Sequence, residues 1–329
     1  MQRTFASVTI AYNAARSLPR QIDALLGQTR PLQEIIVVDN ASTDGTSAML
    51  AELYPQVTVL RMPENLGAAG AWAAGLSYAT REKRHDWVWT FDHDSVPASD
   101  ALELLLRGVV TLTETGADIG IVATLPMDRS TGTSYPPLLW RDGFVKGSPD
   151  LLQQPVWMAD LVITSGCMVK REMVLEIGLP RSDFFMDIFD LEYSIRARSR
   201  GYEIAVITGA KLAHQIGNTR KINLLGHKRL WLNQPPWREY YIGRNLTYLA
   251  WRLYPTLKTK ISTARYLTKH LAGVLLFSSD GLVCAIRMVQ GVSDGLRGRL
   301  GIRLRPESES APRQSVNISS VEKIETTKG

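Results

Sequence analysis

The residues best suited to chemistry begin with Asp92-His93-Asp94, directly after the apolar run Trp87-Val88-Trp89-Thr90-Phe91. Two carboxylates one residue apart at a strand end can both reach a hard divalent cation, leaving its other positions to phosphate oxygens. Such a cation would neutralise a departing diphosphate. The bland reading is that Asp simply favours strand-ending turns. A second acidic group is Asp187, Asp190 and Glu192, set among Phe184, Phe185, Phe189 and Tyr193. Asp190 reads as the N-cap of a helix over 190–200, where the helix dipole should keep it ionised as a general base or leave it only a cap. His214 follows a strand far downstream; its imidazole suits Mg²⁺ or Mn²⁺ beside carboxylates, or a structural hydrogen bond. Asn65-Leu66-Gly67-Ala68-Ala69-Gly70 puts small residues at a helix start. There the N–H groups can approach an anion, or the glycines can serve close packing. The pattern is not G-x-G-x-x-G and no Walker lysine follows it, so nicotinamide and ATP readings are poor.

These groups need a frame. Apolar runs predict strands over 6–12, 34–39, 57–61, 87–92 and 119–123, with helices over 17–28, 45–53, 68–80 and 99–113 between them. Continuous β-branched runs such as Ile35-Ile36-Val37-Val38 mark strands buried on both faces, hence a mostly parallel sheet covered by helices. Ligands of such sheets sit at the carboxyl ends of the strands. Here those ends carry Ala11-Tyr12-Asn13, Asp39-Asn40 and Asp92-His93-Asp94. Residues 126–160 read as an irregular insertion with a hairpin. Residues 161–169 read as a strand broken at Ser165-Gly166, and 204–207 as another strand. Residues 237–300 read as helical, and the polar tail from 306 as disordered.

The chain has 329 residues and a net charge of +6. The charge is uneven: residues 215–305 hold 16 Lys and Arg against 3 Asp and Glu. That asymmetry implies an anionic partner or a solvated helical face. No nucleic-acid motif accompanies it, and interleaved aromatic residues suit a membrane surface. The apolar stretch over 271–289 contains Asp280 and Arg287, which argues against a spanning helix. Cys167 and Cys284 have no metal-binding spacing and read as buried, reduced thiols. With no secretory pattern at the start, the expected location is cytoplasmic, at the inner face of the membrane.

Taken in order, five segments resemble the family 2 glycosyltransferases, inverting enzymes of the GT-A fold, a nucleotide-diphospho-sugar transferase fold with a Rossmann-like sheet. They are Val8-Thr9-Ile10-Ala11-Tyr12-Asn13, Ile36-Val37-Val38-Asp39-Asn40-Ala41-Ser42-Thr43-Asp44, Glu64-Asn65-Leu66-Gly67, Asp92-His93-Asp94 and the block ending Asp190-Leu191-Glu192-Tyr193. The match spans roughly residues 5–250. Residues 185–197, His214-Gln215-Ile216-Gly217 and Arg238-Glu239-Tyr240-Tyr241-Ile242-Gly243-Arg244-Asn245 further resemble bacterial rhamnosyltransferases. Phe189 stands where related galactofuranosyltransferases carry another acid, which favours the rhamnosyl reading.

The resemblance implies a division into a catalytic domain over 1–235, a basic helical region over 236–305 and a tail over 306–329. Ala11, Tyr12, Asp39 and Asn40 would meet the nucleotide, Asn65 and Gly67 the ribose and phosphates, and Asp92 and His93 the ribose side. Asp92, Asp94 and His214 would hold Mg²⁺ or Mn²⁺. Asp190 would be the general base. Asp187, Glu192, Ser165 and Gly166 are acceptor-side candidates, with Glu192 alternatively pairing Arg196 at i,i+4. The implied donor is dTDP-β-L-rhamnose and the acceptor a saccharide or glycolipid hydroxyl. Pairing of C-terminal helices between copies is a further expectation. A catalytically silent sugar-nucleotide binder on the same fold is the competing reading. A nucleotidyltransferase would show a Gly-rich basic signature near the first strand, which is absent.

Overall fold

A computed structural model describes residues 3–129, 132–134, 138–141, 143–215, 219–224, 227–306 and 322–323. The first part alternates strand and helix: β1 (Phe5–Ala11), α1 (Leu18–Leu26), β2 (Glu34–Asp39), α2 (Thr46–Leu53), β3 (Thr58–Arg61), α3 (Gly67–Ser77) and β4 (Trp87–Asp92). Next come β5 (Val96–Pro97), α4 (Ala101–Glu114), β6 (Ile119–Asp128) and the hairpin β7 (Leu138–Trp140) and β8 (Phe144–Lys146). They are followed by β9 (Val156–Ala159), β10 (Cys167–Lys170), α5 (Arg171–Ile177), α6 (Phe189–Ser199) and β11 (Glu203–His214). A second hairpin, β12 (Thr219–Leu224) and β13 (His227–Leu232), leads to α7 (Pro236–Tyr248), α8 (Leu257–Phe277) and α9 (Gly281–Arg297).

The main sheet runs β3-β2-β1-β4-β10-β6-β11-β5, with β9 also on β11. β3, β2, β1 and β4 are mutually parallel, as are β6 and β11. β10 lies antiparallel between the two sets. The β-branched runs behave as their composition requires. Ile36 and Val38 join one core with Ala71, Trp72 and Leu76 of α3. Ile35 and Val37 join the other with Ile22 of α1 and Leu50 of α2. Each such buried side chain stabilises the fold by about 1.5–3 kcal/mol.

Three expectations need correction. Residues 161–166 are not strand, and only Cys167–Lys170 is. The break is physical: Gly166 has φ +83°, and a Cβ there would stand 2.1 Å from Thr124 Oγ1. The strand expected over 204–207 extends through His214, and β9 pairs with it unforeseen. α6 begins at Phe189 with the left-handed Ile188 as its N-cap, so Asp190 lies within the first turn. Both cysteines are free and buried, as expected. No described helix is long and apolar enough to cross a membrane. The tail expected to be disordered lies outside the described residues, apart from Pro306, Glu322 and Lys323. The last two pair with Arg61 and Leu60 at the edge of β3. Ile216 and Gly217 of the motif that begins at His214 also lie outside the described residues.

Candidate active site

Strand register brings the chemistry-bearing residues to one edge. Ala11 ends β1 level with Asp39 of β2, and Ile10 lies level with Asp92 of β4. Val96 of β5 pairs with Ala213 of β11, which sets Ser95 against His214 at a neighbouring strand end. Ser95 Oγ lies 2.7 Å from His214 Nδ1, and the Ser165 hydroxyl donates to Ser95 Oγ at 2.6 Å. The Asp92 N–H donates to Ser165 Oγ at 3.2 Å. This chain of hydroxyls ties β4, β5, β11 and the segment before β10 together. It occupies His214 Nδ1 and leaves Nε2 as the ring's other nitrogen, the arrangement typical of a metal-binding imidazole. Ser165 and Gly166 are buried. Gly166 spends its N–H on Thr90 and its carbonyl on Thr124 and Trp89. Both therefore belong to the scaffold, and Gly166 offers nothing to an acceptor.

His93 turns aside, with Nδ1 2.8 Å from the Ser17 hydroxyl beside α1. Among the described residues no three His, Cys, Asp or Glu side chains are grouped closely enough to hold a metal by themselves. The donor types still suit a hard cation. Burial raises the Asp92 carboxyl above its ordinary pKa; the nearby His214 lowers it and Asp94 raises it again. A cation between these groups would relieve that cost, with phosphate oxygens completing its shell.

The acidic block is built on strained backbone. Phe185 has φ 62° and ψ −60°, and the Met186 N–H donates to the Phe184 carbonyl at 2.7 Å, which makes a γ-turn of the rare, strained kind. Asp187 and Ile188 follow at φ 58° and 68°. Left-handed conformations in such residues cost about 1–3 kcal/mol each and persist only where surroundings enforce them. The enforcing groups come from α7. Asn245 Nδ2 donates to the carbonyls of Phe184, Met186 and Asp187 at 3.0, 2.8 and 2.9 Å. The Arg244 guanidinium donates to Asp183 O, Phe184 O and Gly301 O. Arg238 grips both Asp187 carboxylate oxygens. Asp187 is therefore an ion-paired residue. Sequence reasoning gave Arg238, Arg244 and Asn245 no role, although it singled out the segment that contains them.

Asp190 emerges beyond this turn. The backbone N–H groups of Leu191 and Thr164 face its carboxylate, yet burial dominates and pushes it up to about 7, with Asp187 and Asp92 adding repulsion. The expectation that the helix start keeps Asp190 firmly ionised is thus wrong: desolvation outweighs the dipole. The repulsion also shows that Asp190, Asp187 and Asp92 share one neighbourhood. Glu192 lies elsewhere. It is 3% exposed and bonded to Arg196 at 2.9 Å, the i,i+4 pair foreseen for it, and so is removed from any acceptor.

On the expected donor side, Asp39 accepts from the Ser42 N–H and the Ser47 hydroxyl. Asn40 Nδ2 donates to Asn65 Oδ1 at 2.9 Å, and Asn40 Oδ1 accepts the Leu66 N–H. Tyr12, half-buried, stands just past β1. Gly67 has φ +70°, and a Cβ there would lie 2.1 Å from the Phe185 carbonyl oxygen. Its N–H goes to Asn65 Oδ1 and the Ala69 N–H to Phe185 O. The start of α3 therefore packs against the strained turn, and these two N–H groups are not free for a phosphate.

The family model for "Glycosyl transferase family 2" matches residues 7–176. The chain belongs to that family. The dTDP-rhamnosyl transferase RfbF of Shigella flexneri is 22% identical over 306 residues, covering 92% of this chain and 98% of the relative. The galactofuranosyltransferase GlfT1 of Mycobacterium tuberculosis (strain ATCC 25618 / H37Rv) is 25% identical over 260 residues, covering 76% of this chain and 83% of that one. Among solved structures, GalNAc-T7 with UDP, GalNAc and Mn²⁺ superposes with a TM-score of 0.55 at 15% identity, over 82% of this chain and 54% of that chain. The fold is thus the expected GT-A architecture, extended by C-terminal helices, and this family 2 member is a glycosyltransferase.

Proposed function

We propose that this glycosyltransferase transfers L-rhamnose from dTDP-β-L-rhamnose to a saccharide or glycolipid hydroxyl with inversion, using Asp190 as the base. The observation that carries the reading is the placement of Asp190 in the first turn of α6, just past the strained turn and in one neighbourhood with Asp92 of the strand end, where burial raises its carboxyl to about 7. A carboxylate titrating near neutrality is well matched to removing a hydroxyl proton. Asp190 Oδ accepts that proton as the acceptor oxygen attacks the anomeric carbon, and the bond to the nucleoside diphosphate breaks on the opposite face. Asp92, Asp94 and His214 would hold Mg²⁺ or Mn²⁺, which supplies positive charge to the departing diphosphate when bound. Ala11, Tyr12, Asp39 and Asn40 would line the nucleotide side. The GalNAc-T7 structure, described with UDP and Mn²⁺, supports the donor class and the metal.

RfbF supports rhamnose and GlfT1 a galactofuranosyl alternative. Phe189 bears on the choice: it is buried against Trp72 with ring centroids 5.8 Å apart, so this chain carries no second acid at that position. A panel of nucleotide sugars with Mg²⁺, read by thermal shift, tests the donor because ligand binding raises apparent stability. A response to UDP-galactofuranose that exceeds the response to dTDP-rhamnose would overturn the rhamnosyl reading.

The catalytic domain is read as residues 1–235, with 236–305 as a membrane-facing extension. Leu275, Leu276, Leu282, Ile286 and Val289 are exposed around the turn between α8 and α9. Lys260, Arg265, Lys269 and Arg287 lie on the same two helices. An apolar surface with basic neighbours fits an anionic bilayer at the cytoplasmic face. Co-sedimentation with anionic but not neutral liposomes is expected; equal sedimentation with both would refute it.

A further inference from the structure

We infer that Arg244 and Asn245 of α7 are positioning residues for catalysis, holding the turn over 184–188 in the shape that delivers Asp190 to the reacting hydroxyl. The inference rests on Asp190 being the base. It begins from a mismatch between backbone and sequence. Phe185, Asp187 and Ile188 are not glycine, yet all three hold positive φ, and Ile188 is β-branched. Asp tolerates this conformation, but Phe185 and Ile188 have no local preference for it, so at those two residues it must be imposed from outside the loop.

The imposition is specific. Asn245 is fully buried, and its single amide nitrogen faces three carbonyls of the loop at 2.8–3.0 Å. An extended or helical segment cannot turn three carbonyls within four residues toward one point. Asn245 Oδ1 in turn accepts from Arg244 Nε at 2.9 Å, which fixes the amide's orientation. Arg244 is also fully buried, with its guanidinium 4.6 Å from the Tyr241 ring centroid. Its Nη1 donates to the Gly301 carbonyl and its Nη2 to the Asp183 and Phe184 carbonyls. A cation buried among carbonyls is costly, and burial lowers its pKa accordingly. From the opposite side the Ala69 N–H holds Phe185 O at 3.1 Å, and Gly67 leaves room for that oxygen. The turn is therefore gripped between α3 of the nucleotide-side layer and α7 of the C-terminal helices. Its last residue, Ile188, is the N-cap of α6, two positions before Asp190. Rotating one peptide in the turn re-aims the first turn of α6 and its carboxylate.

The test compares Asn245→Ser, Arg244→Lys and Asp190→Asn in the full chain. Turnover is measured with donor and acceptor, and dTDP affinity by calorimetry in Mg²⁺. Amide exchange is followed across 184–192. For Asn245→Ser and Arg244→Lys the expected result is turnover lowered about 100-fold, the lower range of base catalysis, with dTDP affinity within about twofold of the parent and faster exchange confined to the turn. A merely structural role would weaken dTDP binding and turnover together, which would overturn the inference. So would parental turnover in both variants while Asp190→Asn is inactive. Insolubility of both would overturn it too, by making the pair a determinant of the whole fold. If Asp190→Asn itself keeps parental turnover, the base assignment fails instead.

Discussion

Replacing Asp190 by Asn should lower activity and raise stability at once, and the two effects share one cause. In the folded chain the carboxyl is raised from 3.8 to about 7, chiefly by burial. Each pKa unit corresponds to about 1.36 kcal/mol, so ionised Asp190 would cost the fold up to about 4 kcal/mol. Solvent reaching this half-buried group reduces that to about 1–3 kcal/mol. The sign follows from linkage: a folded pKa above the unfolded value makes the acid's contribution favourable at low pH. That contribution fades as pH rises from the unfolded pKa near 4 through 7. Asp190→Asn should therefore leave stability nearly unchanged at pH 3 and increase it by about 1–3 kcal/mol at pH 8. Urea unfolding in EDTA at both pH values measures this without interference from a bound cation. Turnover should fall by at least about 10²-fold. In the parent, turnover should rise about tenfold between pH 6 and pH 8 as the base ionises around 7. A variant no more stable than the parent at pH 8, or a flat parental pH profile, would refute the claim that burial tunes this carboxylate.

Other outcomes follow from the same geometry. Thorough EDTA treatment should abolish transfer, with Mg²⁺ or Mn²⁺ restoring it, and His214→Ala should weaken Mn²⁺ binding by about 10-fold or more in a titration followed by electron paramagnetic resonance. Gly67→Ala should destabilise the fold by at least about 2 kcal/mol in urea unfolding, because it combines a left-handed φ with a Cβ 2.1 Å from Phe185 O. Arg238→Met should cost about 1–3 kcal/mol by the same assay, since it strips both Asp187 oxygens of their partner.

The parts of the fold readable from sequence are those where side-chain type alone decides. Ile35-Ile36-Val37-Val38 must be buried on both faces whatever surrounds it, so β2 falls where the pattern places it. The polar residues that end β1, β2 and β4 then come to one edge through parallel register. Asp190 shows where such reasoning stops. Its type and position fit an N-cap, but Ile188 takes that place because α7 holds the preceding turn left-handed. The groups that do so bond to main-chain carbonyls, which every residue possesses. No pattern of side chains in 184–188 announces them, and Arg244 and Asn245 lie 60 and 61 residues beyond Phe184. The protonation of Asp190 was equally hidden, because desolvation depends on the packing around a group and not on its neighbours in sequence. That residue 190 is a carboxylate is thus a local property of this chain. Its aim is set through the turn that α7 holds, so a cut before α7 should leave the strand-end residues in place and still displace Asp190.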